Sequence, residues 1–411
     1  VYDRYCSIKS TSDNKNISST WIMRSDISKW VPKDFSNFYN VYTSDQWNHF
    51  IYGEIIKVIN TINYKDISNH NDPPKGFNQM NDVSLLKKFR KFILNTYGRL
   101  IPDKLNKTVF IESYFAKSKD LIKLQLALRQ APYLAGPTLE LSDLEANLNL
   151  RYQIKTKLGQ SEFEEILINL IPVQIPKVYV EGFGKLQILV NKWYPKNIKC
   201  IYTANAYSHN DHFKFWAASK VKNGTKLFIG QHGGNFGTDL WAQDEDHQIK
   251  ICDNYFTWGW TNKKYNHLSS LSAPLLLGMK NKLTPKKHGD VISILASLPR
   301  YFYCSYSVPA AGQFLDYYNH QINLAKLLDT EIFLNYRIRL DLPGFGWDLK
   351  QRFFDNGLGG MVEDKNVKLI DRLNKSRLCI ATHNATVFLE TFTANFPTIL
   401  YWNPNHYEIR P

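Results

Sequence analysis

A chain of 411 residues exceeds one ordinary domain and suits two, each able to bury its own core. Its 44% hydrophobic and 21% charged composition is globular, and no stretch reaches the roughly 18 apolar residues needed to span a bilayer. A net charge of +14 favours an anionic partner, either a nucleotide phosphate or the acidic face of a membrane. The basic residues form no tail and no aromatic-basic recognition motif, which argues against nucleic acid.

Residues 1 to 75 are polar, aromatic and largely irregular in pattern, with helical character over Trp47 to Ile62. The breaker content of Asn69-His70-Asn71-Asp72-Pro73-Pro74-Lys75-Gly76 predicts a loop, and Ser84 to Tyr97 a basic amphipathic helix. A buried strand is expected at Val109 to Ile111 and a helix over Ser118 to Gln130. Strand and helix then alternate: Lys199 to Ala204, Asp211 to Lys222, Lys226 to Gly230. Gly259 to Pro285 reads as a domain junction. Beyond it the pattern predicts strands at Val291 to Ala296, Glu331 to Arg339, Leu378 to Ala381 and Thr398 to Trp402. Helices are expected around Gly312 to Leu328 and Ala385 to Ala394. The expectation is an α/β protein with domains at 1–275 and 276–411 and a ligand cleft at the carboxyl ends of the strands.

Five cysteines, Cys6, Cys200, Cys252, Cys304 and Cys379, form no CxxC pair, so neither a disulfide framework nor a zinc site is expected. Cys200, Cys252 and Cys379 lie in apolar runs and read as buried thiols, a usage that suits a reducing cytoplasm. Asp244-Glu245-Asp246-His247 is acidic, but neighbouring residues of one segment seldom converge on one ion, so no metal is expected there.

Two loops could carry chemistry. In Gly230-Gln231-His232-Gly233-Gly234-Asn235-Phe236-Gly237, Gly233 and Gly234 let backbone amides approach an anion, and His232 could donate to a phosphate or act as a base. A tight turn with a structural histidine accounts for the same residues equally well. In the second loop, Thr382, His383, Asn384 and Thr386 lead from a strand into a helix whose amino end suits an anion, and Glu390 could reach a ribose diol. A merely capped helix with a surface glutamate is the competing reading. Arg300, Arg337 and Arg339 near strand ends are shaped for phosphate or carboxylate. Acid/base candidates are Glu112, Asp211, Asp239, Glu245 and His232.

The glycine loop, Tyr255-Phe256-Thr257-Trp258-Gly259-Trp260, Thr382 to Thr391, Phe396-Pro397-Thr398-Ile399 and Tyr401-Trp402-Asn403-Pro404 together resemble a bacterial family of surface-polysaccharide transferases first catalogued in Leptospira. The likeness is good over about residues 200 to 411 and loose over the first 110. It implies a GT-B-like glycosyltransferase, two Rossmann-like domains facing across a cleft, that works without metal or cofactor at the cytoplasmic side of lipopolysaccharide, O-antigen or capsule assembly. The implied partners are a nucleotide sugar, a glycan or lipid-linked glycan acceptor, and peripherally the inner face of the cytoplasmic membrane. The donor would sit on the C-terminal half. A CMP-activated ulosonic acid such as Kdo would suit the arginines. The family's loop has a third glycine and a tyrosine where this chain has Asn235 and Phe236. The resemblance implies that relatives continue past Pro411, and no obvious first strand opens this sequence. A GT-B-shaped glycan-binding protein and a nucleotide-sugar epimerase are the alternatives.

Overall fold

The computed structural model describes residues 1–411 except 75–84, 138, 140, 142–143, 155–158, 302–305, 341–343 and 364–366, and except the side chains of Leu85, Lys87, Lys88 and Lys91. The chain divides into two compact units. The first comprises Val1–Ile111, Gln130–Lys199 and Ala206–Thr225; the second comprises Glu112–Arg129, Cys200–Asn205 and Lys226–Pro411.

The first unit is helix-rich. Ser44 caps the helix Asp45–Ile59 by accepting the Trp47 amide, and Asn60, left-handed at φ 48°, ends it. Ser161 caps Glu162–Gln174 in the same way, with three glutamates in the first turn favoured by the helix dipole. These helices and Tyr2–Asn14 bury Ile8, Phe50, Ile51, Ile55, Ile166 and Leu170 around Trp30, whose ring stacks on Phe50 at 5.1 Å. Strands β1 (Thr20–Arg24) and β2 (Tyr64–His70) pair in parallel, and β3 (Thr108–Ile111) is almost wholly buried. Residues 1–74, expected to be mostly irregular, thus hold helices and a strand pair; Trp30, Trp47 and Phe50 with a set of isoleucines form the core that supports them.

The second unit holds parallel α/β structure. Strands β4 (Cys200–Thr203), β5 (Lys226–Gly230), β6 (Asn254–Thr257) and β7 (Leu268–Ser270) are successive neighbours in one sheet. Strands β8 (Asp290–Ile294), β9 (Tyr336–Arg339), β10 (Ser376–Ala381) and β11 (Thr398–Leu400) form another, ordered β11-β10-β8-β9. Every described pairing in it is parallel. Val291, Ile292 and Ile294 are all buried, as expected of a central parallel strand covered on both faces. On one face Phe314, Tyr317 and Tyr318 of the helix Gln313–Lys326 pack with Val291, Tyr336 and Ile338. On the other, Ile292, Ile294 and Cys379 meet Leu373, Ala394 and Phe396.

Three expectations need correction. The apolar run from Glu331 is not one strand: Thr330–Leu334 is a helical turn and only Tyr336–Arg339 pairs, since a short apolar run has no decisive period. Cys379 is buried, but Cys200 and Cys252 are half-covered; burial still pushes the Cys252 and Cys379 thiols up to about 12. The loop expected at 69–76 begins two residues later, because Asn69 and His70 still belong to β2, and its last two residues lie outside the described residues, as does Cys304.

Arg151, wholly buried, holds the first unit together. Its Nε and Nη2 donate to the two Glu181 oxygens at 2.7 and 2.6 Å, and Nη1 donates to the Pro172 and Ile175 carbonyls at 2.7 and 2.8 Å. Burial pushes the Glu181 carboxyl up, but Arg151 and the Asn147 amide outweigh it, so its pKa is lowered. Its stabilisation is therefore present above the ordinary glutamate range and lost as pH falls through the lowered value. Glu181→Ala strands the guanidinium and should cost about 3–5 kcal/mol, read as a lower denaturant midpoint at neutral pH.

Candidate functional site

The glycine loop leaves the carboxyl end of β5, and its first residue organises it. Gln231 is 3% exposed. Its Nε2 donates to the carbonyls of Gly233 and Phe236 at 2.7 and 3.1 Å. Its Oε1 accepts from the Trp258 amide and the Trp260 indole, both at 2.8 Å. One saturated amide thus closes the loop and ties it to the Trp258-Gly259-Trp260 segment after β6. Gly237, at φ +83°, lies under that indole; a Cβ there would fall 2.3 Å from Trp260 Nε1. Gly234 touches the second loop directly, since a Cβ on it would lie 2.5 Å from the Ala385 carbonyl oxygen. The glycines therefore serve close approach of backbones.

The second loop follows β10. Thr382, fully buried, donates to the Ile294 carbonyl at 2.7 Å and meets the Tyr317 hydroxyl at 2.5 Å. Asn384 Nδ2 donates to Thr238 Oγ1 at 2.9 Å and Asp239 Oδ1 at 2.6 Å, so it clamps the two loops together. Thr386 opens the helix Thr386–Thr393, which no side chain caps, so its first amides remain available as anion donors. His383 is half-covered, but its Nδ1 is buried without a hydrogen-bond partner within the chain. Burial holds the ring down at about 4 against an opposing interaction with the Ile294 carbonyl, so the imidazole is neutral. Glu390, half-buried one turn further on, has its carboxyl raised by burial, with Lys282 opposing.

Asp239 is 1% exposed and accepts Asn235 Nδ2 at 3.1 Å as well as Asn384. Burial, with the charge of Glu245 adding to it, lifts its carboxyl from 3.8 to about 7; the two amide donors and Arg410 pull the other way. Glu245, expected as a candidate acid, is engaged on both oxygens, accepting the Gly237 amide at 2.5 Å and Arg410 at 2.6 Å. The segment Glu408 to Arg410 lies along 238–240, with the Leu240 amide on the Glu408 carbonyl at 2.9 Å and the Arg410 amide on the Thr238 carbonyl at 2.8 Å.

His232 stands between two aromatic rings. Phe236, buried, meets its ring edge-on at 4.9 Å, and Tyr114 lies 5.7 Å away. Glu112 and Tyr114 both hold the left-handed conformation, at φ 50° and 54°, costly for residues with a Cβ. The turn after β3 thus brings Tyr114 to the glycine loop, which no periodicity in the sequence foretold.

Two expected site residues have partners of their own. Arg337 donates to the Leu334 and Tyr336 carbonyls at 3.0 and 2.8 Å and lies 3.8 Å from Asp290, the first residue of β8. Its side chain serves the amino end of the sheet, because Tyr336 and Ile338 take the core-facing positions and it folds back onto nearby carbonyls. Asp211 belongs to the first unit, where it accepts the Phe35 amide at 2.7 Å, the Tyr179 hydroxyl at 2.6 Å and Lys214 at 3.0 Å. With its oxygens so engaged it is a structural clasp. Arg300 remains beyond β8, its guanidinium near the Tyr301 ring and Gly346. Among the described residues no group of three or more His, Cys, Asp or Glu is placed to hold a metal ion.

Gly234→Ala drives a methyl into the Ala385 backbone and should destabilise the protein by about 1–3 kcal/mol, visible as a lower melting temperature. Asp239, raised in the folded state, contributes stability that is full below 3.8 and lost as pH rises through about 7. Denaturation at a series of pH values should show the native protein losing stability relative to Asp239→Asn across that window, with the two curves parallel above it.

A protein assigned as a UDP-N-acetylglucosamine 2-epimerase from Listeria monocytogenes superposes with a TM-score of 0.34 and 10% identity, over 71% of this chain and 78% of that one, too slight a likeness to support an inference. No curated protein matches the sequence. The model of the LIC12162 family transferases matches residues 1–411, and the chain belongs to that family.

Proposed function

We propose that this transferase moves a sugar from a nucleotide-activated donor to a hydroxyl of a surface glycan, with the GT-B arrangement and without a metal. The observation that carries the reading is the Gly234 contact with Ala385, clamped by Asn384, which sets the glycine loop beside the uncapped amino end of the helix Thr386–Thr393. Such a helix end supplies amides and a positive dipole to a phosphate, the group a nucleotide sugar presents and releases. In this reading Thr386 and the adjoining amides hold the phosphate, His383 offers a neutral nitrogen, and Glu390 takes the ribose diol. Gly233 and Gly234 line the path of the sugar.

His232 takes the proton of the acceptor hydroxyl as its oxygen bonds to the anomeric carbon and the bond to the nucleotide phosphate breaks. Glu112, on the strained turn near Tyr114, is the second candidate for that proton. Asp239 is too enclosed to meet substrate; we assign it to positioning the two loops. A CMP-activated ulosonic acid remains the favoured donor class, resting on Arg300 for its carboxylate. The acceptor is a glycan or lipid-linked glycan of the lipopolysaccharide, O-antigen or capsule type, reached from the cytoplasm.

Calorimetry with CMP-, UDP- and GDP-linked sugars should find one that binds, and Glu390→Ala should weaken it at least about tenfold, near the value of a lost charged hydrogen bond. His232→Ala should leave donor affinity intact and lower transfer by about 10²–10⁴-fold. No binding by any nucleotide sugar would overturn the proposal, and conversion of the donor without an acceptor would mark an epimerase instead.

A further inference from the structure

The helix Leu85–Leu100 of the first unit presents its apolar stripe outward. Its inner side is modest. Gly98 is buried close enough to Tyr133 that a Cβ would lie 3.0 Å from that ring, and Leu94 is half-buried. Tyr97 donates to the Pro132 carbonyl at 3.1 Å, and the Arg99 guanidinium lies 5.9 Å over Trp193. Outside, Leu86 is 81% exposed, Phe89 64%, Phe92 58% and Leu100 72%, with Ile93 also exposed. At about 100° per residue, Leu86, Phe89, Ile93, Tyr97 and Leu100 share one stripe roughly 80° wide.

Scattered exposed apolar residues are ordinary, but a continuous stripe marks an interaction surface. The charge of this helix says which kind. Its sequence carries Lys87, Lys88, Arg90, Lys91 and Arg99 and no aspartate or glutamate. At 16 residues, and with that charge, it is too short and too polar to cross a bilayer. An apolar stripe beside five basic residues, Asn95 and Thr96, with no acid, suits a helix lying in the headgroup layer of an anionic membrane, stripe toward the acyl chains.

We propose that the Leu85–Leu100 helix docks this protein on an anionic lipid surface. The inference stands independently of the sugar-transfer reading, because it concerns where the chain sits and not what it converts.

The test is co-sedimentation of the intact chain with vesicles of phosphatidylcholine containing phosphatidylglycerol, and with phosphatidylcholine alone. The chain should pellet with the anionic vesicles, be released by about 1 M salt, and leave the neutral ones largely unoccupied. Phe89→Ser/Ile93→Ser should lower partition at least about tenfold, and Arg90→Glu by roughly fivefold or more. All three side chains are exposed, so both variants should retain the native circular dichroism and melting temperature. Equal binding to neutral vesicles, or unchanged binding by both variants, would overturn the proposal. So would a dimer in sedimentation velocity that the double variant disperses while vesicle binding is absent.

Discussion

The second unit depends on the side-chain amide of Gln231. A primary amide has two donors and one two-lone-pair acceptor, and here all are used: two carbonyls of its own loop, one amide and one indole of the next. Being buried, it cannot exchange those partners for water at low cost. The loop is therefore held in one shape before any ligand arrives. Gly237 fits beneath Trp260 because the loop is so held, and Gly234 reaches Ala385 for the same reason.

From that fixed loop a chain of polar contacts runs inward. Asn384 joins Thr238 and Asp239, Glu245 takes the Gly237 amide, and Arg410 closes on Glu245. Two buried carboxylates lie in one network, and the guanidinium of Arg410 pairs with the Glu245 carboxylate. Desolvation wins at Asp239, whose carboxyl is lifted to about 7 although Asn235 and Asn384 donate to it. Such a network specifies one arrangement of the two loops; it does not make Asp239 a proton carrier for substrate.

Much of this architecture was legible beforehand. The helix Asp211–Lys222 and strand β5 occur at their expected bounds, because apolar period, capping residues and flanking glycines agree there. The glycine loop and the Thr382–Glu390 segment were identifiable as candidate ligand loops only through their residue types, and the structure supplies the contact between them. The contacts of Arg337 and Asp211 were not legible for one reason: a charged residue near an element's end reads alike whether it serves the carboxyl or the amino end, or a neighbouring helix. Glu331 to Leu334 was misread because four or five residues hold too little periodicity to separate a turn of helix from a strand.

By itself, the sequence determined the class of the protein. Short apolar strands alternating with helices imply parallel sheets, since only helices can cover both of their faces, and a basic, acid-free amphipathic helix was visible over residues 84 to 97. Tertiary structure alone decided which partners those residues meet. That Gln231 is spent on structure, that Asp239 is enclosed, that Tyr114 reaches His232 and that the Leu86–Leu100 stripe faces outward all depend on contacts between residues distant in the chain. Local propensity carries no record of such contacts, because burial and desolvation are properties of the assembled neighbourhood and not of any single segment.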